Sequence, residues 1–473
     1  MEETTNLLLY QRLAEAEQKG RFIDYKLDGW SVWPILRFRT WQELRNLPRA
    51  NLEEFHISLL PRIITLALGD ILSFSNLPRA EFVVLGSTRN VRSFGNSTKR
   101  DLYFDDLILR LGNVFKIDQF SYIGLVGCRK KSLIPGDVTS SLPWLLRQFA
   151  SKTRLPRNVD IMANQYSRVL KLHLNIPNMT SRLVAHYLYK FIWEKRAYSW
   201  LFKRVQPSYL LLVDAYGNHG IVAAARETGV KVIELQHGAF DRYSPGYAWS
   251  VADKPYKEIM PLPNRVFVYG DYWRDELLAL GFWQPEEVIS VGSPQIDRYR
   301  NLSNNKRNLD NVCRIILTTQ GIDIPQLVEF TLQLLNVADF SGLTVHIDIK
   351  LHPMESSKDN YVNLLGSRPN VRIILANEDP STYDLLSQAD LHLSIYSTCH
   401  YESLGLGVPT IILPFSGHNF VGHLHNSGYA YLVRDPKDVI TYIKDNQRRD
   451  VPYEVSQRFF KRGALRNMLA ILK

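Results

Sequence analysis

The segment Leu391-His-Leu-Ser394-Ile-Tyr-Ser397-Thr398-Cys-His-Tyr-Glu402-Ser-Leu-Gly405-Leu-Gly407-Val-Pro409 says more about the fold than any other. An apolar run typical of a strand ends at two hydroxyl residues, Ser397 and Thr398, and a helical pattern follows. A helix that begins directly after a strand points its free backbone N–H groups and positive dipole end at one spot, where an anion is stabilised. Glu402 falls one turn into that helix, where a carboxylate can accept hydrogen bonds from a ribose diol. The segment predicts either a phosphate-binding strand–turn–helix unit or an ordinary capped helix of a doubly wound sheet.

Other strand ends carry polar or glycine-containing turns of a similar kind. They are Glu234-Leu-Gln236-His237-Gly238, Val291-Gly292-Ser293-Pro294-Gln-Ile-Asp297 and Ile349-Lys350-Leu-His352-Pro353. A further one, Thr318-Thr319-Gln320-Gly321, ends the first strand of the second half, a place where backbone amides often approach phosphates. Ligands of open α/β sheets bind at the carboxyl ends of the strands. The sequence therefore places its candidate binding residues at such edges.

Strand-like and helix-like segments alternate in both halves of the chain, which predicts an α/β protein with parallel sheets. A chain of 473 residues is too long for one ordinary core and suits two domains. Before the first sheet we expect a helix over 6–20 and a hairpin around Asp28-Gly29. The predicted strands are 81–86, 209–214, 231–235, 265–269 and 288–291 in the first sheet, and 314–319, 344–349, 371–376, 391–396, 410–413 and 430–433 in the second.

The domain boundaries follow from the segments between these strands. Residues 1–80 form an accessory segment, and 81–300 form a first Rossmann-like domain with a basic helical insertion near 141–205. The polar, turn-rich run 298–310 is the best candidate for a linker. A second Rossmann-like domain and a C-terminal basic helix follow at 311–453 and 454–473.

The net charge of +10 favours an anionic partner, such as a nucleotide diphosphate, a membrane surface or nucleic acid. The charge concentrates between Trp144 and Arg204, where aromatic residues are interleaved and the only acids are Asp160 and Glu194. This basic block predicts either helices with a solvated face or docking on an anionic membrane surface, and we expect no nucleic-acid partner. Its basic residues are Arg147, Lys152, Arg154, Arg157, Arg168, Lys171, Arg182, Lys190, Lys195, Arg196, Lys203 and Arg204.

Cysteine usage and the N-terminus favour the cytoplasm. The cysteines are odd in number and far apart, which argues against a disulfide framework and against a zinc site. The opening Met1-Glu-Glu-Thr-Thr lacks the basic start of a secretory signal. The longest apolar run, 56–75, is interrupted by a proline, an arginine and an aspartate, so we expect a buried helix in preference to an interfacial one and no membrane span. The cysteines are Cys128, Cys313 and Cys399.

The strand-end motifs, with the Ser-Thr segment last, resemble those of nucleotide-sugar transferases of the GT-B fold that build bacterial surface polysaccharides. The chain is most similar to capsule and lipopolysaccharide transferases that use CMP-activated sugars such as Kdo or sialic acid. It also resembles the CDP-glycerol glycerophosphotransferases, which carry a similar His-Gly and Gly-x-Pro-x-x-Asp pair. The resemblance covers roughly residues 205–435. It implies two Rossmann-like domains facing across a cleft, a helical N-terminal lead-in, and a C-terminal helix that crosses back to the first domain.

The resemblance also implies roles for single residues. His237 matches the His-Gly motif and is the first candidate for the catalytic base on the acceptor domain; a donor-phosphate contact and a structural role are its alternatives. Asp214 is the rival base, and it could equally cap the helix near Asn218. His352 matches a donor-phosphate contact, and each donor-domain residue has the alternative of a polar turn residue. The donor-site candidates are Thr319, Gln320, Gly321, Lys350, His352, Pro353, Ser397, Thr398 and Glu402, and the cleft or hinge candidates are Gln236, Gly238, Gly292, Ser293 and Asp297.

The function implied is a metal-independent, inverting transfer of a sugar from a CMP or other nucleotide donor onto a surface polysaccharide or lipid-linked glycan. No cofactor is expected, because GT-B enzymes generally hold the leaving phosphate with helix N-termini and basic side chains. The paired carboxylates of metal-dependent transferases are missing. Asp105-Asp106 is the nearest match, and we interpret it as a surface or N-capping pair. The expected location is the cytoplasm, with peripheral contact at the inner face of the membrane.

Two other functions stay open. A non-hydrolysing sugar-nucleotide 2-epimerase has the same fold and typically carries a His-Arg-x-Glu-Asn run after the first strand of the second domain. This chain has Thr319-Gln-Gly-Ile-Asp323 there, which disfavours the epimerase. A non-catalytic nucleotide- or glycan-binding protein, or a basic nucleic-acid binder, would not need His237, Lys350, His352 and Glu402 to converge.

Overall fold

The computed structural model describes residues 2–45, 60–87, 90–94, 98–119, 133–151, 156–303, 312–355, 357–365, 368–445 and 451–473. Contacts within the chain divide it into two compact units. The N-terminal unit contains Asn6–Val268, Trp273–Ser290 and Leu465–Lys473. The C-terminal unit contains Met1–Thr5, Tyr269–Tyr272 and Val291–Ala464. Predicted features at Cys128, at Lys152 and Arg154, and over 304–310 lie outside the described residues.

Two short hairpins flank the first strand of the main N-terminal sheet. Strands β1 (Lys26–Leu27) and β2 (Trp30–Ser31) pair around Asp28 and Gly29, whose positive φ angles of 51° and 84° fit a tight two-residue turn, so this prediction is confirmed. Strand β3 (Phe82–Ser87) follows, and then β4 (Val91–Phe94) pairs antiparallel with β5 (Thr98–Asp101).

The N-terminal unit is built on a sheet that, within the described residues, has seven strands, all parallel. Its strands carry nearly continuous apolar runs, since helices cover both faces of such sheets. Leu210, Leu212 and Val232 are fully buried in its core. The order is β11-β10-β9-β8-β3-β6-β7, with β6 (Val114–Gln119), β7 (Val138–Thr139), β8 (Tyr209–Leu212), β9 (Lys231–Leu235), β10 (Arg265–Val268) and β11 (Val288–Ser290).

Helices of very different length surround this sheet. The described part of the basic block forms three helices, as expected, although its Lys195 is buried and bonded to Glu227 at 2.9 Å instead of facing solvent. Short 3-10 helices lie at Phe22–Asp24, Ala215–Gly217 and Val251–Ile259. The α-helices described before residue 291 are α1 (Glu2–Gly20), α2 (Trp33–Leu44), α3 (Leu60–Ser75), α4 (Asp105–Ile108), α5 (Ser141–Ser151), α6 (Arg157–Leu174), α7 (Ser181–Val205), α8 (His219–Glu227) and α9 (Asp271–Leu278).

The C-terminal unit has a second parallel sheet, of six strands among the described residues, in the order β14-β13-β12-β15-β16-β17. Leu317, Ile349 and Leu393 from its central strands are buried in the core. Its strands are β12 (Val312–Thr318), β13 (Thr344–Lys350), β14 (Val371–Ile374), β15 (Leu391–Ser394), β16 (Thr410–Ile412) and β17 (Tyr431–Leu432). Its helices are α10 (Pro294–Ser303), α11 (Ile324–Phe340), α12 (Asp359–Leu365), α13 (Thr382–Gln388), α14 (Cys399–Leu406), α15 (Gly422–Asn426), α16 (Pro436–Asp445) and α17 (Tyr453–Phe459), with a 3-10 turn at His418–Val421. The final helix is α18 (Ala464–Leu472).

Both sheets reverse the direction of strand addition at one point. In the C-terminal unit the chain proceeds from β12 through β13 to β14 on one side, and then from β15 to β17 on the other. In the N-terminal unit the same reversal falls between β3 and β8. Crevices at such switch points, at the carboxyl ends of the strands, are where open α/β sheets bind ligands.

Three predictions about local structure are wrong. The part of the proposed linker that is described, residues 298–303, belongs to α10, which starts at Pro294 because proline suits the first helical turn. The C-terminal helix over 454–473 is two helices, broken where Gly463 has a φ of 79°. The apolar run 56–75 is not a buried helix over its described part, because α3 exposes one apolar face. None of the helices in the described ranges is long and apolar enough to span a bilayer.

Candidate functional site

The switch point of the C-terminal sheet brings three of the predicted strand ends together. Strand β12 lies between β13 and β15, with Thr318 opposite both Lys350 and Ser394. The Gln320 side-chain N–H donates to Oγ of Ser394 at 3.0 Å. The other side-chain atom of Gln320, Oε1, is buried and has no hydrogen-bond partner among the described residues. Buried polar atoms are normally bonded, so this oxygen is a candidate ligand acceptor.

The ends of β12 and β13 are joined by a carboxylate that sequence reasoning missed. The backbone N–H of His352 donates to Oγ1 of Thr319 at 3.0 Å and to Oε2 of Glu355 at 2.9 Å. The Thr319 hydroxyl donates to the same Glu355 oxygen, and Tyr361 donates to Oε1 at 2.7 Å. Glu355 closes the turn His352–Glu355 through its own N–H, and this spacing of an acid after His-Pro was the available signal. These hydrogen bonds therefore hold the turn His352–Glu355 in place.

Lys350 is bound differently from the prediction. Its ammonium group is buried and donates to three backbone carbonyls, those of Leu375, Glu378 and Pro380, at 2.8, 2.7 and 3.0 Å. Burial lowers the pKa of Lys350, and nearby Glu378 partly opposes this effect. Because an ammonium group has three N–H donors, these bonds use its full capacity. The side chain fixes the loop after β14 and has no donor left for a phosphate.

The Ser-Thr turn after β15 leads directly into α14. Oγ of Ser397 accepts from the backbone N–H of Cys399 at 3.2 Å, while Thr398 is exposed and makes no side-chain cap bond. One turn later, Oε1 of Glu402 accepts from the Tyr383 hydroxyl at 2.7 Å. Burial raises the pKa of Glu402, and the Tyr383 bond opposes that rise. The predicted ribose-binding carboxylate is thus already held by two partners in the protein, the Tyr383 hydroxyl and the Cys399 thiol.

A buried histidine pair supports this strand end, and its only signal in the sequence is two histidines in apolar surroundings. The ring of His392 bonds Oγ1 of Thr410 at 2.8 Å through Nδ1 and Oγ1 of Thr318 at 2.9 Å through Nε2. His400 bonds the same Thr410 oxygen at 2.6 Å. Burial holds the pKa of both imidazoles below the usual value, to about 3 for His400. Both rings are therefore neutral at pH 7 and act as hydrogen-bonding spacers.

In the N-terminal unit, His237 follows β9 and is partly buried. Its carbonyl accepts from the Tyr103 hydroxyl at 2.7 Å, and its Nε2 lies 3.4 Å from the Tyr216 hydroxyl. Nδ1 is buried and has no hydrogen-bond partner among the described residues. Burial lowers the pKa of His237 to about 4, so the imidazole is neutral at pH 7. Its neighbour Gln236 is buried and donates from its side chain to the carbonyl of Gly238 at 2.9 Å, which fixes the turn.

Asp214 follows β8, at the switch point of the N-terminal sheet. Its backbone is left-handed, with a φ of 56°, and its carbonyl accepts from Gly217 N–H and from the Asn218 side chain. The backbone of Asp214 therefore closes the turn ahead of α8. A second acid, Glu234, belongs to the same motif as His237, and the motif alone predicts no role for it. It is fully buried, with Oε1 accepting from Tyr247 at 2.7 Å and from the N–H of Ala215 at 3.1 Å, and burial raises its pKa to about 8.

The Gly292–Asp297 segment holds the C-terminal stretch of the chain. Oδ2 of Asp297 accepts from the N–H of Ala464 at 2.7 Å, at the first residue of α18. Gly292 has a φ of 99°, and a Cβ there would lie 2.1 Å from the carbonyl oxygen of Lys461. Ser293 is buried, and its carbonyl accepts from the N–H of Asp297 at 3.0 Å. These contacts lie within the C-terminal unit and are structural.

The interpretation of Asp105 as a surface or capping residue is wrong. Its carboxylate is buried and accepts from Lys116 Nζ at 2.9 Å and from the N–H of Asp101 at 3.0 Å. Asp106 pairs with Arg100 at 3.1 Å. Over the ranges that the structure describes, no group of three or more His, Cys, Asp or Glu side chains is arranged to hold a metal ion.

Comparison with solved structures identifies the fold. The UDP-GlcNAc 2-epimerase of Methanocaldococcus jannaschii matches with a TM-score of 0.52 and 12% identity, over 83% of this chain and 98% of that chain. Another UDP-N-acetylglucosamine 2-epimerase matches with a TM-score of 0.50 and 14% identity, over 84% and 95%. The wall teichoic acid polymerase TagF matches with a TM-score of 0.43 and 12% identity, over 93% and 96%. No protein-family model and no curated protein matches the chain.

The two epimerase likenesses, at these low identities, show the fold alone. They confirm the predicted class, an α/β protein of the GT-B kind with two parallel sheets, each covered by helices.

Proposed function

We propose that this protein is a glycosyltransferase that moves a sugar from a nucleotide donor, a CMP-sugar or another nucleotide sugar, onto a surface polysaccharide or lipid-linked glycan. The observation that carries the proposal is the convergence of Gln320, His352 and the Ser397–Thr398 turn at the switch point of the C-terminal sheet. A doubly wound sheet binds a nucleotide at such a point. The start of α14 supplies positive potential there for a phosphate.

In the proposed donor site, Ser397, Thr398 and the first N–H groups of α14 bind the leaving phosphate, and His352 adds a side-chain contact. The free Oε1 of Gln320 accepts from a donor hydroxyl or amine. Glu402, oriented by Tyr383 and the Cys399 thiol, accepts from the ribose diol. Lys350 and Glu355 are positioning residues, because their polar atoms already bind the protein.

In the proposed transfer step, an acceptor hydroxyl attacks the anomeric carbon, its proton passes to the base, and the bond from that carbon to the donor phosphate breaks. His237 is the better candidate for the base because its ring is neutral at pH 7 and its Nδ1 has no hydrogen-bond partner among the described residues. Asp214 remains the rival. Attack from the face opposite the leaving phosphate would invert the anomeric centre.

The acceptor chemistry implies a place for the reaction. A lipid-linked or surface glycan is assembled at a membrane, so we propose that the protein acts in the cytoplasm and contacts the anionic inner face of the membrane. The exposed basic side chains of α7, including Arg182, Arg196 and Lys203, support that contact.

The first experiment is a thermal-shift screen with CMP, CDP, UMP, UDP, GDP and UDP-N-acetylglucosamine, since a ligand that binds only the folded state raises the melting temperature. We expect one nucleotide class to stabilise the protein, and loss of that shift on replacing Thr398 and Gln320. The sugar donor of that class is then incubated with and without glycan acceptor. Acceptor-dependent release of nucleotide supports transfer. Conversion of the donor to its 2-epimer without nucleotide release, or no shift with any nucleotide, overturns the proposal.

A further inference from the structure

Helix α3 exposes a row of large apolar side chains. Ile64, Leu68, Ile71 and Leu72 are 41%, 60%, 45% and 79% exposed. Their spacing of four, seven and eight residues from the first puts them on one face of the helix. A soluble helix usually shows polar residues to water on that face, and contiguous exposed apolar surface usually marks an interaction site. We call these four residues the α3 stripe.

The orientation of α3 is fixed by a buried carboxylate. Asp70 is completely buried, and its Oδ2 accepts from the N–H and the hydroxyl of Thr139 at 2.9 and 2.5 Å. Ile63 and Ala67 are buried on the same side of the helix. Rotating α3 to hide the stripe would strip Asp70 of these bonds, and an unpaired buried carboxylate is costly. The exposed position of the α3 stripe is therefore fixed by the packing of the helix.

An apolar cavity of about 520 Å³ opens at the C-terminal end of the same helix. Its walls come from α3, α5 and α7, including Phe74, Leu146, Trp193 and Trp200. The indole N–H of Trp193 is used by the carbonyl of Pro143 at 3.0 Å, so this ring offers only apolar surface. Cavities of this size hold small apolar ligands or chain segments. Leu146 and Trp200, at 50% and 40% exposed, carry the apolar surface out to the rim.

Positive charge lies beside the cavity. Arg196 lines it and is exposed, and the guanidinium carbon of Arg204 lies 4.0 Å from the centre of the Trp200 ring. Lys203 is exposed one position away. On α3 itself the exposed charge is Arg62, because its one acid, Asp70, is buried. An apolar face with a tryptophan and a cationic rim is the arrangement of helices that lie in the interface of anionic bilayers.

We propose that the α3 stripe and the adjacent cavity seat the protein on an anionic phospholipid bilayer. The stripe enters the acyl region, an acyl chain end occupies the cavity, and Arg196, Lys203 and Arg204 contact headgroup phosphates. This extends the membrane part of the proposed function and names the surface responsible. It does not depend on donor chemistry, because all of its residues belong to the N-terminal unit and none is a donor-site candidate.

The test measures binding of the full chain, without nucleotide, to phosphatidylcholine vesicles with and without phosphatidylglycerol. We expect binding that needs the anionic lipid and falls with salt. The double variant Leu68→Ser/Leu72→Ser should bind roughly tenfold or more weakly, since two leucines lose their apolar burial. Leu172→Ser is the matched control, because Leu172 on α6 is also 79% exposed, and it should stay within about twofold of the parent protein. Circular dichroism checks that every variant is folded.

Two further experiments test whether this surface binds phospholipid. Replacing Arg196, Lys203 and Arg204 by Gln should abolish the preference for anionic lipid. Phospholipids with brominated acyl chains should quench the tryptophan fluorescence, and Trp200→Phe should remove part of that quenching. Equal binding to both vesicle types, equal loss in the Leu172 control, or a dimer that the Leu68/Leu72 variant dissolves without vesicle binding overturns the proposal. If a nucleotide raises the melting temperature but the protein does not bind vesicles, the membrane inference is wrong and the proposed donor site is unaffected.

Discussion

The hydroxyl of Tyr383 donates a 2.7 Å hydrogen bond to Oε1 of Glu402, one turn into the helix that follows the Ser-Thr turn. This bond and a hydrogen bond from the Cys399 thiol together orient the carboxylate. Burial raises the pKa of Glu402, and the tyrosine bond counteracts this by favouring the charged form. The pair is therefore arranged as an oriented acceptor at the proposed donor site.

Glu402→Ala should weaken nucleotide binding by about 1–3 kcal/mol, because charge-assisted bonds to the ribose are lost. Tyr383→Phe should weaken it less, since the carboxylate remains but is less well oriented. Isothermal titration calorimetry with the nucleotide identified in the screen measures both. Glu329→Ala, at an exposed position of α11, is the control and should bind as the parent does. Unchanged affinity in Glu402→Ala would remove this residue from the site.

The strands were predictable because their apolar runs have a simple physical cause. Parallel strands covered on both faces must be apolar throughout, and every strand predicted for the two main sheets is present within two residues of its expected ends. Strand β6 was missed because Lys116 and Asp118 interrupt its pattern. Lys116 is nevertheless buried, since Asp105 from α4 neutralises it at 2.9 Å. A partner from another element cannot be deduced from the strand alone.

The candidate site likewise has some features that the sequence predicts and others that it does not. The positions of His237, Gln320 and His352 followed from the rule that ligands meet the carboxyl ends of strands. The bonds of Lys350 could not be predicted from that rule, because its three carbonyl partners come from residues 375–380, beyond the next strand. Glu355 and Glu234 were missed for a related reason, because most of their partners are hydroxyls and N–H groups of other segments. For Glu355 the one local signal is its spacing after His352-Pro353.

Asp297→Ala should lower the free energy of unfolding by about 1–2 kcal/mol. The carboxylate accepts from the N–H of Ala464 at 2.7 Å and pairs with Arg300 at 3.2 Å, so its loss removes a helix N-cap and leaves a buried guanidinium with one partner fewer. Urea denaturation measures the change. Asp297→Asn keeps an acceptor for the N–H and should recover part of the loss. If both variants unfold at the same urea concentration as the parent, the cap contributes nothing.

Glu234→Gln should become increasingly stable relative to the parent as the pH rises from 5 to 8. The folded-state pKa of Glu234 is about 8, above its unfolded value, so the charged form is disfavoured in the folded protein. The resulting loss of stability of the parent protein is absent at low pH. It grows once the carboxyl of the unfolded chain ionises near pH 4.5, and it is complete above pH 8. Glutamine can still accept from Tyr247 and Ala215 and carries no charge. The difference in unfolding free energy should reach a few kcal/mol in magnitude, and a difference independent of pH would contradict it.

His237→Ala should separate chemistry from binding in the proposed reaction. If the imidazole takes the acceptor proton, turnover should fall by roughly two to four orders of magnitude while nucleotide affinity stays nearly intact. His352→Ala should show the other pattern, with affinity and rate falling together, because its turn adjoins the proposed phosphate site through Thr319. Single-turnover transfer assays and calorimetry measure the two quantities. Full turnover by His237→Ala would pass the role of base to Asp214, and loss of the fold by circular dichroism would assign His237 a structural role. We expect a folded protein that binds nucleotide and does not transfer.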